Sequence, residues 1–126
     1  MNNKLKIGII IGGKSVEHDI SILSGLQVYH ALNKDKYEPT IFYLTKENIW
    51  LTGKILEDLI TYKNSNFNKC SQIYFYQKKG KVHYQTVNKK GKSKEIDVFI
   101  PVLHGDGTDD LLSLSLAFQN DPHDYC

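Results

Sequence analysis

"GIIIGGKSVEHDIS", residues 8–21, admits two incompatible readings. From Gly8 to Ser15 it satisfies G-x-x-x-x-G-K-[ST], the pattern of a phosphate-binding loop. Such a loop needs a complete strand before it and a flexible backbone between its first and last glycines, so that N–H groups can turn inward on the anion. Here that interval is Ile9, Ile10, Ile11 and Gly12. Isoleucine is stiff at χ1 and favours extended backbone, so these residues belong to a strand. Placing them in a loop would leave only residues 5–7 as strand and expose three large apolar side chains. Nor does an acidic residue close an apolar run downstream, as a magnesium ligand would; Asp97 precedes its run. The stretch therefore predicts a strand ending at Gly12 and Gly13, a tight turn, and a helix that begins near Asp19, with Asp19 as its N-cap.

Outward from that unit, strand and helix signals alternate. "DISILSGLQVYHALN" places Ile22, Leu23, Leu26 and Tyr29 at helical spacing. "YEPTIFYLT" reads as a second strand and "NIWL" as a short third. "GKILEDLITYK" reads as a short helix, residues 64–72 as a polar loop, and "IYFYQ" with "KVHYQTV" as a hairpin. "IDVFIPVLHG" is almost continuously apolar, which predicts a strand over 97–103 covered on both faces. A helix over about 108–118 and a tail over 119–126 complete the reading. The expected fold class is α/β: a Rossmann-like, mostly parallel sheet with flanking helices and an appended β-hairpin.

Length and charge narrow the function. A chain of 126 residues has room for one core. All 16 basic residues are lysine, the net charge is +2, and without arginine the usual bidentate reader of phosphate and guanine is missing. No nucleic-acid partner is expected. The lysine cluster Lys78, Lys79, Lys81, Lys89, Lys90, Lys92 and Lys94 surrounds two "KKGK" turn signals, as solvated hairpin tips do. There is no signal-peptide pattern and no apolar run long enough for a membrane span, which predicts a cytoplasmic chain without a membrane partner. Cys70 and Cys126 lack metal-type spacing and read as free thiols.

In open parallel sheets, ligands bind outside the carboxyl ends of the strands. Residues 14–18 follow one such end, and His104 and Gly105 follow the other long apolar run. If the two strands are neighbours, Glu17 and His104 line one crevice. Each also has a structural reading: Glu17 as an acidic first-turn residue that complements the helix dipole, His104 as a hydrogen-bonding residue after a strand.

"GGKSVEHDISILSG", then "NKDKYEP", then "VFIPVLHG" resemble, in order and spacing, the N-terminal domain of the D-alanine:D-alanine ligase family of ATP-grasp ligases, which includes D-alanine:D-lactate ligases. The resemblance covers residues 4 to about 105. It implies ATP-dependent formation of a dipeptide for peptidoglycan synthesis, with D-alanine as the partner of this domain. It further implies that Glu17, the catalytic-site candidate, binds the ammonium of the first D-alanine. Ile20 would touch its methyl group, Ser21 would hydrogen-bond at the helix start, and His104 would lie near the substrate carboxylate. ATP and magnesium are implied for the full-length family at central and C-terminal domains, outside this chain.

The chain departs from the family pattern after His104. Gly105 is followed directly by Asp106, Gly107 and Thr108, without the family's short intervening loop, and Asp109 and Asp110 stand where an aliphatic residue and glutamine are usual. The acidic and histidine residues His104, Asp106, Asp109, Asp110, Asp121 and His123 match no known ligand spacing, so no metal is expected here. The chain is thus expected to be an N-terminal fragment, inactive alone. The apolar side chains from Leu111 to Phe118 would favour self-association. A truncated non-catalytic binding module and an unrelated Rossmann-like nucleotide binder are the alternatives.

Overall fold

The isoleucine run is a strand. In the computed structural model, which describes residues 4–14, 17–88 and 93–102, β1 (Leu5–Gly12) holds Ile9, Ile10 and Ile11 fully buried. Side chains alternate between the faces of a strand, and both faces of β1 are covered. Ile7, Ile9 and Ile11 pack with Ile22, Leu26, Ile41, Tyr43 and Leu56. Ile10 packs on the other side with Phe42, Leu44, Trp50, Ile73, Phe75 and Ile96. Turning residues 9–11 into a loop would return this surface to water, at about 25 cal/mol per Å².

The helix α1 (His18–Ala31) leads back to β2 (Tyr37–Leu44), which lies parallel to β1 over its whole length, from Leu5↔Tyr37 to Gly12↔Leu44. Its buried stripe is His18, Ser21, Ile22, Gly25 and Leu26, spaced three and one apart as one helix face requires. Leu23, expected on that face, is instead half exposed. The helix also starts earlier than expected: Glu17 holds the N-cap position without a side-chain cap bond, and Asp19 sits in the first turn. Its start is set by bonds to the strand ends, which a local capping pattern does not encode.

The chain then passes through β3 (Trp50–Thr52), a 3-10 turn (Lys54–Glu57) and α2 (Leu59–Lys63) into β4 (Ser71–Lys78) and β5 (Lys81–Thr86). β4 and β5 form the expected hairpin, closed by Lys79 and Gly80 with φ of 54° and 80°, the turn handedness that matches strand twist. The strand expected over 97–103 is found over 98–101, with a second, unexpected strand just before it. β6 (Lys94–Ile96) pairs antiparallel with β5, and β7 (Val98–Pro101) pairs parallel with β1. β7 is an edge among the described residues, with Val98 43% exposed, so it is not covered on both faces there. The expected helix over 108–118, the tail and the second "KKGK" lie outside the described residues.

The sheet order is β6-β5-β4-β3-β2-β1-β7. Only the pairings of β1 with β2 and with β7 are parallel; the other four are antiparallel, so the sheet is mixed and not mostly parallel. Parallel neighbours need a long crossover. α1 provides one between β1 and β2, whereas the β2–β3 and β4–β5 links are short turns that reverse the chain.

One residue closes this sheet. β6 and β7 are its two edges, about 29 Å apart if six strand spacings lay flat, yet only Asp97 separates them in the chain. A single residue spans about 3.5 Å, so the sheet must roll until its edges meet. Asp97 makes the seam: its N–H donates to the Lys6 carbonyl at 2.8 Å and its carboxylate accepts the Lys6 N–H at 2.8 Å. The cluster around Ile10 and Phe42 fills the inside of the roll, and α1 covers the outside of β1.

The helix lies so close to β1 that a Cβ on Gly25 would fall 2.1 Å from Ile11 Cγ2. Gly25→Ala should therefore destabilise the chain by about 1–3 kcal/mol through overpacking, although alanine in a free helix would gain about 1 kcal/mol. The urea midpoint reads the sign; an increase would show that α1 can lift off β1 without cost.

Candidate functional site

The carboxyl ends of β2, β1 and β7 form one edge, and the turn out of β1 begins there. Gly12 and Gly13 have φ of 95° and 93°, and a Cβ on Gly12 would sit 2.3 Å from the Leu44 carbonyl. Only glycine fits at Gly12, on both grounds. The Gly13 N–H donates to that same Leu44 carbonyl at 2.7 Å, which ties the turn to the end of β2.

Two buried polar side chains from the first turn of α1 complete the fastening. The Ser21 hydroxyl accepts the Gly12 N–H at 3.0 Å and donates to the Val102 carbonyl, bridging the ends of β1 and β7. His18 Nδ1 lies 2.6 Å from the Gly13 carbonyl and Nε2 lies 2.7 Å from the Tyr43 hydroxyl. A carbonyl only accepts, so Nδ1 carries the proton; in the neutral ring Nε2 then accepts from the Tyr43 O–H. Burial pushes the Tyr43 phenol up to about 12, with the Glu47 and Asp19 carboxylates adding to the shift. It is thus a donor at neutral pH. A cleft of about 320 Å³ opens beside this pair, with Asp19, Glu47, Tyr62 and Phe67 in its lining. A larger hollow of about 520 Å³ lies toward the start of β2, around Pro39, Thr40 and Tyr84, and includes none of the predicted site residues.

Of those residues, Glu17, Ile20 and Ser21 come together at the start of α1. Glu17 is half-buried at the N-cap position, and its carbonyl accepts the Ser21 N–H at 3.0 Å. Ile20 is 52% exposed. Ser21 is completely buried, and both bonds of its hydroxyl go to strand backbone, so it acts inside the fold. His104 lies outside the described residues, as do the acidic residues after it. β1 and β7 are parallel neighbours, as a shared crevice requires. The residue that sequence reasoning passed over is His18. Its signal was a polar side chain three residues before Ser21, on the same helix face.

Residues 6–112 match the family described as D-ala D-ala ligase N-terminus. The chain belongs to that family. It is 39% identical over 123 residues to the D-alanine--D-alanine ligase of Thermosipho africanus (strain TCF52B), covering 97% of this chain and 34% of the relative. With the D-alanine--D-alanine ligase of Lactobacillus acidophilus it shares 32% identity over 127 residues, 97% of this chain and 32% of that one. The fold is shared with the D-alanine-D-alanine ligase of Coxiella burnetii at a TM-score of 0.71 and 23% identity, over 94% of this chain and 34% of that one. The VanG D-Ala:D-Ser ligase of Enterococcus faecalis superposes equally well, with a TM-score of 0.71, 23% identity and coverage of 93% and 34%. This ligase-family chain spans about a third of the length of the curated relatives it matches.

Two outcomes follow for the ligase domain's strand-end network. Ser21→Ala leaves a buried N–H and a part-buried carbonyl without the hydroxyl and should cost about 1–3 kcal/mol in urea unfolding. A loss below about 0.5 kcal/mol would show that the strand ends hold without it. Tyr43 binds its proton more tightly folded than unfolded, so its contribution to stability is complete below about pH 10 and falls as pH rises toward 12. Tyr43→Phe should therefore lose less stability than the parent between pH 10 and 12. Equal losses would contradict the buried donor.

Proposed function

We propose that this domain forms the pocket for the first D-alanine of an ATP-dependent D-alanine:D-alanine ligase acting in the cytoplasm in peptidoglycan synthesis. The observation that carries the reading is the place of Glu17. In a chain of this family, a carboxylate residue stands where β1 ends and α1 begins, at the edge of the parallel strands where small ligands bind. Its negative charge suits the ammonium of an amino acid. Ile20, exposed one turn on, offers the apolar contact that a methyl group takes. Ser21 serves the pocket indirectly, by joining the strand ends beneath it.

The end of β1 offers no phosphate loop for ATP and magnesium, because Ile9–Ile11 form a buried strand where such a loop would have to bend. The proposal assigns both to the two thirds of the relatives' length that this chain does not span. No described helix is long and apolar enough to cross a membrane.

The test is kinetic. Residues 4–102 are joined to the remaining length of the Thermosipho africanus relative, and Glu17→Gln is compared with the parent chimera. A neutral amide replaces the charge-assisted partner of the ammonium, so KM for the first D-alanine should rise with a loss of about 1–3 kcal/mol, roughly 5- to 150-fold. An active chimera whose kinetics ignore the substitution would sink the assignment of Glu17.

A further inference from the structure

We propose that His18 is a positioning residue for the first substrate, holding Glu17 in place through its bond to the Gly13 carbonyl; the proposal rests on the reading of Glu17 given above. Gly13 stands at the end of β1 and His18 at the start of α1, and the His18 Nδ1–H joins the two at 2.6 Å. Glu17 is the residue next to His18, and adjacent Cα atoms are a fixed distance of about 3.8 Å apart. Whatever fixes the backbone of His18 against β1 therefore fixes the Cα of Glu17 against it too.

His18 is well suited to that work. It is 5% exposed, so its ring cannot relax into solvent. Tyr43, in the adjacent parallel strand, bonds Nε2 at 2.7 Å and meets the ring edge-on at 5.3 Å between centroids. The acceptor-only Gly13 carbonyl thus selects the tautomer with the proton on Nδ1, and the Tyr43 hydroxyl donates to the Nε2 that this leaves bare. Tyr43 is itself held by Phe67, stacked at 5.2 Å, and by Tyr62 at 5.4 Å. Gly13 is pinned from the other side by its bond to Leu44. Gly13 and His18, the residue beside the carboxylate, are each fastened to β2, one through Leu44 and one through Tyr43. An error of about 1 Å in a substrate-binding group costs about a hundredfold in rate, which is what such a fastening prevents.

The experiment separates the two ring nitrogens. The amide of asparagine reaches the position of Nδ1, and that of glutamine the position of Nε2. In the chimera, His18→Gln should raise KM for the first D-alanine about tenfold with kcat changed less than about twofold, and His18→Asn should restore most of it. In the Glu17→Gln background, His18→Gln should add less than about twofold, because the residue through which it acts is already neutral. Full additivity, or equal effects of the asparagine and glutamine variants, would overturn the proposal. If Glu17→Gln alone leaves KM unchanged, the reading of Glu17 fails and this inference falls with it. If Glu17→Gln raises KM and His18→Gln does not, only the positioning role fails. Should His18→Gln not fold, nitrogen NMR of the unsubstituted 126-residue chain still decides the tautomer. A proton on Nδ1 at neutral pH supports the relay, and a proton on Nε2 alone refutes it.

Discussion

A one-residue link between two strands governs the architecture. Ile96 ends one edge of the sheet and Val98 begins the other, so Asp97 can be accommodated only if the sheet rolls upon itself. The roll makes an inside, and the inside must be filled. Phe42, Phe75, Phe99 and Trp50 meet there, with Phe42 and Phe75 edge-on at 4.9 Å and Trp50 and Phe75 at 5.0 Å. Aromatic rings suit such a space because each buries a large area with few rotatable bonds. The same seam sets β7 beside β1 and brings Val102 within reach of Ser21.

The strand-end edge at the start of α1 depends on that closure. With β7 placed, the carboxyl ends of three parallel strands meet at the start of α1, and the helix pays in hydrophobicity for its position. Its buried face includes His18, Ser21 and Gly25, while Ile20 and Leu23 are about half exposed. An apolar residue at 18 or 21 would bury more carbon but would leave the backbone of Gly12 or Gly13 without a partner, and an unsatisfied buried group costs about 1–3 kcal/mol. The polar face of α1 is thus the consequence of a strand edge that must be tied off away from water. In a member of the D-alanine--D-alanine ligase N-terminal family, that edge is also where a ligand is expected.

Legibility in the sequence followed the range of the interactions. β1, β2 and the hairpin were readable because stiff, apolar or turn-forming residues encode them locally. Glu17 and Ile20 were readable as site candidates through the family pattern and the strand-end position. His18 was not, since a histidine at a helix start carries no sign that a tyrosine 25 positions later will meet it. The strand over 98–101 was readable from its apolar run, but the short strand ending at Ile96 was not, because the break at Asp97 arises from pairing with Lys6, 91 residues away.

The sequence by itself determined that residues 8–12 form a strand and not a phosphate loop, because three consecutive isoleucines oppose any backbone that bends around an anion. It also determined the family, through three separated patterns in the right order. Only the tertiary structure decided that the sheet is mixed and rolled, that α1 turns a partly polar face inward, and that His18 and Ser21 fasten the turn next to Glu17. The physical reason is common to all three. Local propensity acts within a few residues, whereas strand order, helix facing and the satisfaction of buried backbone groups are settled by partners that meet only when the chain is folded.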